Sequence, residues 1–356
     1  MSTQTYLYMI KTYVTLLLTV SLLALLNSQN DHTLYEQYSH ILVQNQNDFW
    51  KWRAKTDRYF TNSIYIEHLS YKYYERWKNS WLIDLFPKLD FPDSVQNFGF
   101  GFGQDFYTPI DISIAKVQKN DRPYAGYLYF SIKNVSNSYT QESRLSTVYS
   151  IGVIGPLSFS AQVQERFHAF QGSGVPTGWN TQIANDVGFN IRLNYEKRIM
   201  QPNAFIDLIG YMDANTFSTI SNNFATGLHY RFGLFNDYFT NTTGKKPNKA
   251  LWEQLSDANC SYYCDAIKRD WQFYGYIITN LTSLLDNSFL EGGIINRSSV
   301  HTLHTDDIKR FYFQGEFGLR ISAHGIDITY AQLFRTAEFV RAKNSYWGKI
   351  QLIFSY

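Results

Sequence analysis

The last eleven residues, Tyr346-Trp-Gly-Lys-Ile-Gln-Leu-Ile-Phe-Ser-Tyr356, alternate with a period of two. One face carries Tyr346, Gly348, Ile350, Leu352, Phe354 and Tyr356. The other carries Trp347, Lys349, Gln351, Ile353 and Ser355. Side chains of a strand point alternately to its two faces, so this segment reads as a strand with a lipid-compatible side and a mostly polar side. Beyond residue 30 no continuous apolar run approaches the roughly 18 residues that a membrane helix needs. A membrane protein built without such runs has to close its strands into a barrel, because hydrocarbon offers no partner to a free backbone N–H or C=O.

Aromatic content supports that reading. Phe, Trp and Tyr make up 18% of the chain, and barrel proteins place rings at both membrane–water interfaces. Tyr59, Tyr107 and Tyr124 are expected in such belts. About twelve strands are predicted, near 39–48, 61–74, 94–108, 124–136, 144–155, 188–200, 205–217, 222–233, 270–285, 308–323, 325–338 and 345–356. The expected fold is thus an all-β, transmembrane, antiparallel up-and-down barrel of about twelve strands, one domain over 29–356. An even count returns both termini to one side. Residues 75–93 and 234–269 are then unusually long connections at the end of the barrel that holds the termini.

Ahead of the barrel, Lys11 and the uncharged apolar stretch Tyr13–Leu26 predict a signal peptide over 1–28, with an uncleaved anchor as the alternative. Charge is nearly balanced, with 32 Lys and Arg against 30 Asp and Glu, and this argues against a nucleic-acid partner. The two cysteines, Cys260 and Cys264, are left either paired or as free thiols; a zinc site would need two further ligands nearby.

One stretch interrupts the strand pattern. Ala161-Gln-Val-Gln-Glu-Arg-Phe-His-Ala-Phe170 reads as a short loop helix, and its four-residue spacing puts Gln164 and His168 on one face. The other residues that strand-building explains least are Asn47-Asp48, Asp57–Asn62, Gln104–Tyr107, Asp121–Tyr124 and Ile151–Pro156. All fall where odd strands end or even strands begin, so barrel topology gathers them at one rim. Asp121-Arg122 is expected to form an ion pair inside the lumen, Gly155-Pro156 to make a turn, and Trp179 and Gln182 to pack the helix onto the wall.

Gln104-Asp-Phe-Tyr-Thr-Pro109, Asn120-Asp-Arg-Pro-Tyr-Ala-Gly126 and Ile151-Gly-Val-Ile-Gly-Pro156, followed by Gln164 and His168, resemble the motifs of the outer-membrane lipid A 3′-O-deacylases. These are calcium-dependent enzymes of lipopolysaccharide. The resemblance implies catalytic roles for His168, Gln164, Asn47, Thr61 and a lysine of the third connection (Lys116 rather than Lys119), and a calcium-holding role for Asp48. It implies lipid A as substrate, Ca2+ as cofactor, an outer-membrane location with the site facing outside the cell, and a chain acting as a monomer. Two departures stand out: Gln162, where relatives often carry an acid, and Leu157-Ser-Phe-Ser160 in place of a glycine-rich turn. No Gly-x-Ser-x-Gly elbow occurs, so water rather than serine is the expected nucleophile. A non-catalytic porin or adhesin, and an esterase or phospholipase acting on another lipid, are the alternatives.

Overall fold

The computed structural model describes residues 39–50, 59–172, 174–200, 205–239 and 271–356. The expected signal segment and the two cysteines lie outside these residues. Twelve strands form one closed antiparallel barrel. They are β1 Ser39–Asn47, β2 Tyr59–Ser70, β3 Ser94–Thr108, β4 Ala125–Ser138, β5 Ser143–Ile154 and β6 Asp186–Met200, followed by β7 Ile206–Thr216, β8 Ser221–Leu234, β9 Trp271–Asn287, β10 Phe311–Ala323, β11 Ile326–Arg335 and β12 Ser345–Ser355. Each strand pairs with its sequence neighbours, and β1 closes on β12 from His40↔Ser355 to Asn47↔Gly348. No described helix is long and apolar enough to cross a membrane.

Connections from odd to even strands all lie at one end, called here the site end. The chain termini lie at the other, where the Ser39 N–H donates to the Tyr356 carbonyl. β2 stops at Ser70, before residue 74, because the Ser70 hydroxyl caps a helix, α1 (Tyr71–Trp77), by accepting the Lys72 N–H. A single turn, α2 (Trp81–Asp84), follows.

Alternation decides what faces where. On β12, Tyr346 is exposed while Trp347 is buried, and Lys349 pairs with Glu316 of β10 across the interior. The lumen is polar and crossed by side chains. Lys133 bonds Glu67 and Arg192 bonds Asp213 at 2.8 Å, while Tyr276 donates to Glu316 at 2.5 Å. At the end holding the termini, residues 235–239 fold across the opening. Arg231 sits over the Phe235 ring at 4.3 Å, and Arg144 sits over Tyr238 at 4.6 Å. Beneath them Asp207 bridges Arg198 and Arg231, and Asp237 bonds Arg198. At the site end Arg122 lies over Tyr107 at 4.5 Å and bonds Glu338, which also takes Arg335. Arg122 therefore has its ion-pair partner on the β11–β12 connection. The expected partner, Asp121, instead accepts the backbone N–H groups of Ile110 and Arg122.

The three tyrosines expected at the interface are all withdrawn from it. Tyr59 is buried against Phe339, Tyr107 points inward and stacks on Phe289, and Tyr124 lies under Trp179. Each sits at a strand end where loops fold over it, so nearness to the rim did not mean contact with lipid.

Removing one member of a buried charge cluster leaves its partners uncompensated, at a cost of about 3–5 kcal/mol. Asp207→Asn should therefore lower the urea midpoint of the folded barrel in vesicles clearly, without changing its folded electrophoretic form. A midpoint equal to that of the parent would show that the Arg198–Asp207–Arg231 bridge carries no stability.

Candidate active site

Of the residues singled out from the sequence, Asn47, Asn62 and Gln104 lie on the outside of the wall, on the adjacent strands β1, β2 and β3, while Asp105 and Tyr107 line the lumen. Strand parity shows it. Glu67, Tyr65 and Ser63 of β2 line the lumen, so Asn62 faces out. Asn47, paired to Asn62 and to Gly348, faces out with it. Asp105 and Tyr107 line the lumen, so Gln104, Phe106 and Thr108 face out. On β4, Tyr127 and Tyr129 face in and Gly126 faces out. Neighbouring strands are about 4.8 Å apart, so this patch spans roughly 14 Å from β1 to β4.

At the β1 side, Asn47 Nδ2 and Asn45 Nδ2 both donate to Asn62 Oδ1 at 2.9 Å. Asn47 Oδ1 accepts the Phe49 N–H at 2.6 Å, an Asx-type contact that starts the 3₁₀ turn Asp48–Trp50. That turn holds Asp48 buried and lays Trp50 over the outer face of β12. The Trp50 carbonyl accepts from Tyr330 and Gln332, and its indole N–H donates to Asn45 Oδ1. The fit depends on Gly348, where an added Cβ would come within 2.5 Å of Trp50 Cβ. Thr61 is the extra residue of a bulge between Phe60 and Asn62. The bulge turns Thr61 toward the outward-facing Thr108, and their hydroxyls bond at 2.7 Å.

At the β4 side the chain leaves β5 through Gly155 (φ 85°) and the 3₁₀ turn Pro156–Ser158, then enters a helix, α3 (Ser160–Gln171). Gly155-Pro156 is thus the bend that turns the chain outward. The serines of the Leu157–Ser160 turn are its contact with the wall. The Ser158 carbonyl accepts Gln104 Nε2 at 2.6 Å, and Ser158 Oγ bonds Ser160 Oγ at 2.9 Å. A Cβ on Gly126 would lie 2.2 Å from Ser158 Oγ and 2.3 Å from Ser160 Oγ, so only glycine lets the helix sit this close.

Ser160, Gln164 and His168 form the buried face of α3, and Gln162 is on the exposed one. Gln164 Oε1 accepts the Trp179 indole N–H at 2.8 Å. That bond fixes the amide, because an indole can only donate. Gln164 Nε2 is left buried with no partner among the described residues. Trp179 is in turn held by Tyr124, ring to ring at 4.9 Å. His168 Nδ1 lies 2.7 Å from the Gly174 carbonyl. A carbonyl only accepts, so Nδ1 carries the hydrogen and the neutral ring has its acceptor at Nε2.

Lys116 and Lys119 are exposed on the β3–β4 connection, and neither enters an ion pair among the described residues. On the β9–β10 and β11–β12 connections, Leu290, Leu303, Ile308 and Phe339 cluster on Tyr59. Burial works to raise the pKa of Glu291, but hydrogen bonds from Thr305, Arg310 and the Asn287 N–H hold it below the ordinary carboxylate range. A cavity of about 620 Å³ is in the lumen on the other side of the wall. It is an ordinary polar barrel interior and holds none of the residues Asn47, Asp48, Thr61, Gln164 or His168.

Four participants escaped the sequence reading: Gly126, Gly348, Trp50 and the Gly174 carbonyl. Gly126 was visible inside a motif, but a close helix approach leaves no signature besides the glycine itself.

The polar cluster thus lies on the outer face of a closed barrel, under a loop helix. Comparison with known proteins gives the same fold. The chain belongs to the family described as outer membrane protein LpxR, whose profile matches residues 14–356, and this is the family that its motifs resemble. LpxR from Salmonella typhimurium has the same fold at 16% identity and a TM-score of 0.66, over 88% of this chain and 99% of that one. The β domain of the Bordetella autotransporter BrkA aligns over 91% of this chain and 100% of its own at 8% identity, with a TM-score of only 0.39. No curated protein matches by sequence.

Gly126→Val should keep the barrel folded and free α3 from the wall. Limited proteolysis should then cut within 155–185 in the variant and not in the parent. Equal resistance would show that the helix is held by something other than this contact.

Proposed function

We propose that the protein is an outer-membrane lipid A deacylase, hydrolysing the ester-linked 3′-acyloxyacyl chain of lipopolysaccharide on the extracellular side. The observation that carries the reading is the position of the Gln164–His168 face, pressed against the outer, lipid-facing wall. A lipid ester can reach it from the leaflet without entering the lumen. A lumen crossed by ion pairs at both ends supports a catalyst rather than a pore.

In this reading His168 Nε2 takes a proton from water as the water oxygen bonds to the ester carbonyl carbon. The Gly174 carbonyl holds the ring by its Nδ1–H and favours the imidazolium that forms. Gln164 Nε2, already aimed by Trp179, donates to the carbonyl oxygen as it gains charge. The carbon–oxygen bond to the sugar then breaks. His168 returns the proton to the departing sugar oxygen, leaving a free hydroxyl and a free fatty acid. Asn47 shapes the turn that carries Asp48, and Thr61 is held by Thr108 at the floor of the patch. Lys116, an exposed point charge, meets a phosphate of the substrate.

The donor chemistry suits a hard cation. No three His, Cys, Asp or Glu gather among the described residues, so the available ligands are the Asp48 carboxylate with amide, hydroxyl and backbone oxygens. Such a set fits calcium better than zinc. When bound, calcium would supply Lewis-acid stabilisation to the ester oxygen.

Refolded protein incubated with lipopolysaccharide should release acyl chains only when calcium is present. His168→Ala should abolish release, and Gln164→Ala should slow it by about 10²–10³-fold, as expected for one oxyanion donor. Release that survives chelation, or that zinc restores, would overturn the ion assignment. Release from phospholipid but not from lipopolysaccharide would overturn the substrate.

A further inference from the structure

The outer wall of β3–β5 near the chain termini does not look like a surface made for lipid. Its outward positions include Gln96, Asn134, Ser136 and Thr147. Yet none of these side chains is exposed: Asn134, Ser136 and Thr147 are at 0% and Gln96 at 8%. The opposite wall differs. Two and four residues before its end, where β4 has Ser136 and Asn134, β10 has Ile321 and Leu319, and both β10 residues are more than half exposed.

The 71–93 connection covers the polar wall. Ile83 and Phe86 pack on Phe98, with Ile132 and Tyr149 beside them. The Pro87 carbonyl accepts Thr147 Oγ1 at 3.0 Å, and Ser136 Oγ accepts the Leu89 N–H at 3.0 Å. Gln96 bonds Ser136 and Asn134 beneath it. Tyr73 of α1 bonds His68, which also bonds Tyr356. The segment is therefore fastened flat to the outside of the barrel. Its own outer side carries Trp81 at 74% exposure, Leu85 at 54%, Phe91 at 40% and Trp77 at 38%.

We propose that residues 71–93 form an interfacial lipid-binding segment. Trp77, Trp81, Leu85 and Phe91 enter the leaflet nearest the chain termini and take the place of the strand surface they cover. The occupant follows from continuity: on the same strands, toward the site end, the outward residues Phe102, Phe130 and Ile151 are exposed and apolar, so the surface of the segment runs on from a lipid-compatible wall. Tryptophan beside Lys72 and Arg76 suits a headgroup-level anchor, with Lys78 bonded to Glu75 at 2.7 Å. The connection is longer than a barrel turn requires because it has two faces to supply, one for the wall and one for the lipid.

The test uses the full chain refolded into vesicles of phosphatidylcholine brominated either near the headgroup or near the chain methyl. Tryptophan emission of the parent is compared with that of the Trp77→Phe/Trp81→Phe variant. The emission lost in the variant should be quenched by lipid bromine, more by the shallow label than the deep one, and not by aqueous iodide. Adding Leu85→Trp to that variant should restore the lipid-quenched emission, which guards against a folding defect. Emission quenched by iodide and indifferent to bromine would place the rings in water and overturn the proposal.

Discussion

A polar side chain on the outside of a membrane barrel faces hydrocarbon unless something covers it, and leaving one uncovered costs several kcal/mol. Strand alternation makes the problem unavoidable, because every second residue must face out. Among the described residues, two groups of polar side chains stand out on the outer face. Near the site end Asn45, Asn47, Asn62 and Gln104 face outward. Near the termini Gln96, Asn134, Ser136 and Thr147 do. In both places an excursion of the chain lies over the polar patch.

The two covers do different work. Residues 71–93 cover their polar patch with the Pro87 carbonyl and the Leu89 N–H, and leave one acceptor, Asn134 Oδ1, buried without a partner among the described residues. The Trp50 turn and α3 approach their patch from opposite edges of the same outer face, each seated on a glycine, Gly348 and Gly126. A buried donor, Gln164 Nε2, is left over. A buried amide without a partner costs about 1–3 kcal/mol. That cost is tolerable where a ligand supplies the missing acceptor, which is the part the proposed function gives to the ester carbonyl.

The barrel itself was legible. Alternation in β12, the even strand count and the grouping of unusual residues at one end all follow from side-chain parity, which the sequence carries directly. Gln164 and His168 sharing a helix face was legible for the same reason, since 3.6-residue periodicity is a local property. What parity could not say was which side of the wall the site occupies. The sequence placed the polar cluster at a rim; three-dimensional parity places it outside. The tyrosines went astray similarly. Tyr59, Tyr107 and Tyr124 stand at strand ends, where a belt is expected, but the loops above them have cores of their own. The helical part of 71–93 was hidden because Tyr71–Trp77 continues the aromatic content of β2, and only the Ser70 cap marks the change.

Location outside the wall also bears on specificity. A site inside the lumen would select by the size of the entrance. A site on the lipid face selects by depth, since a group reaches it only if its own anchor holds it at that height in the leaflet. On the proposed function, the exposed side of α3, with Val163 and Phe170 and with Phe159 just before it, would contact hydrocarbon of neighbouring lipids while the buried side holds Gln164 and His168. Discrimination among esters in one lipid would follow from their distance below the headgroup as much as from contacts made to them. A helix seated by Gly126 and Gln104 at one fixed height is the part of the structure that sets that distance.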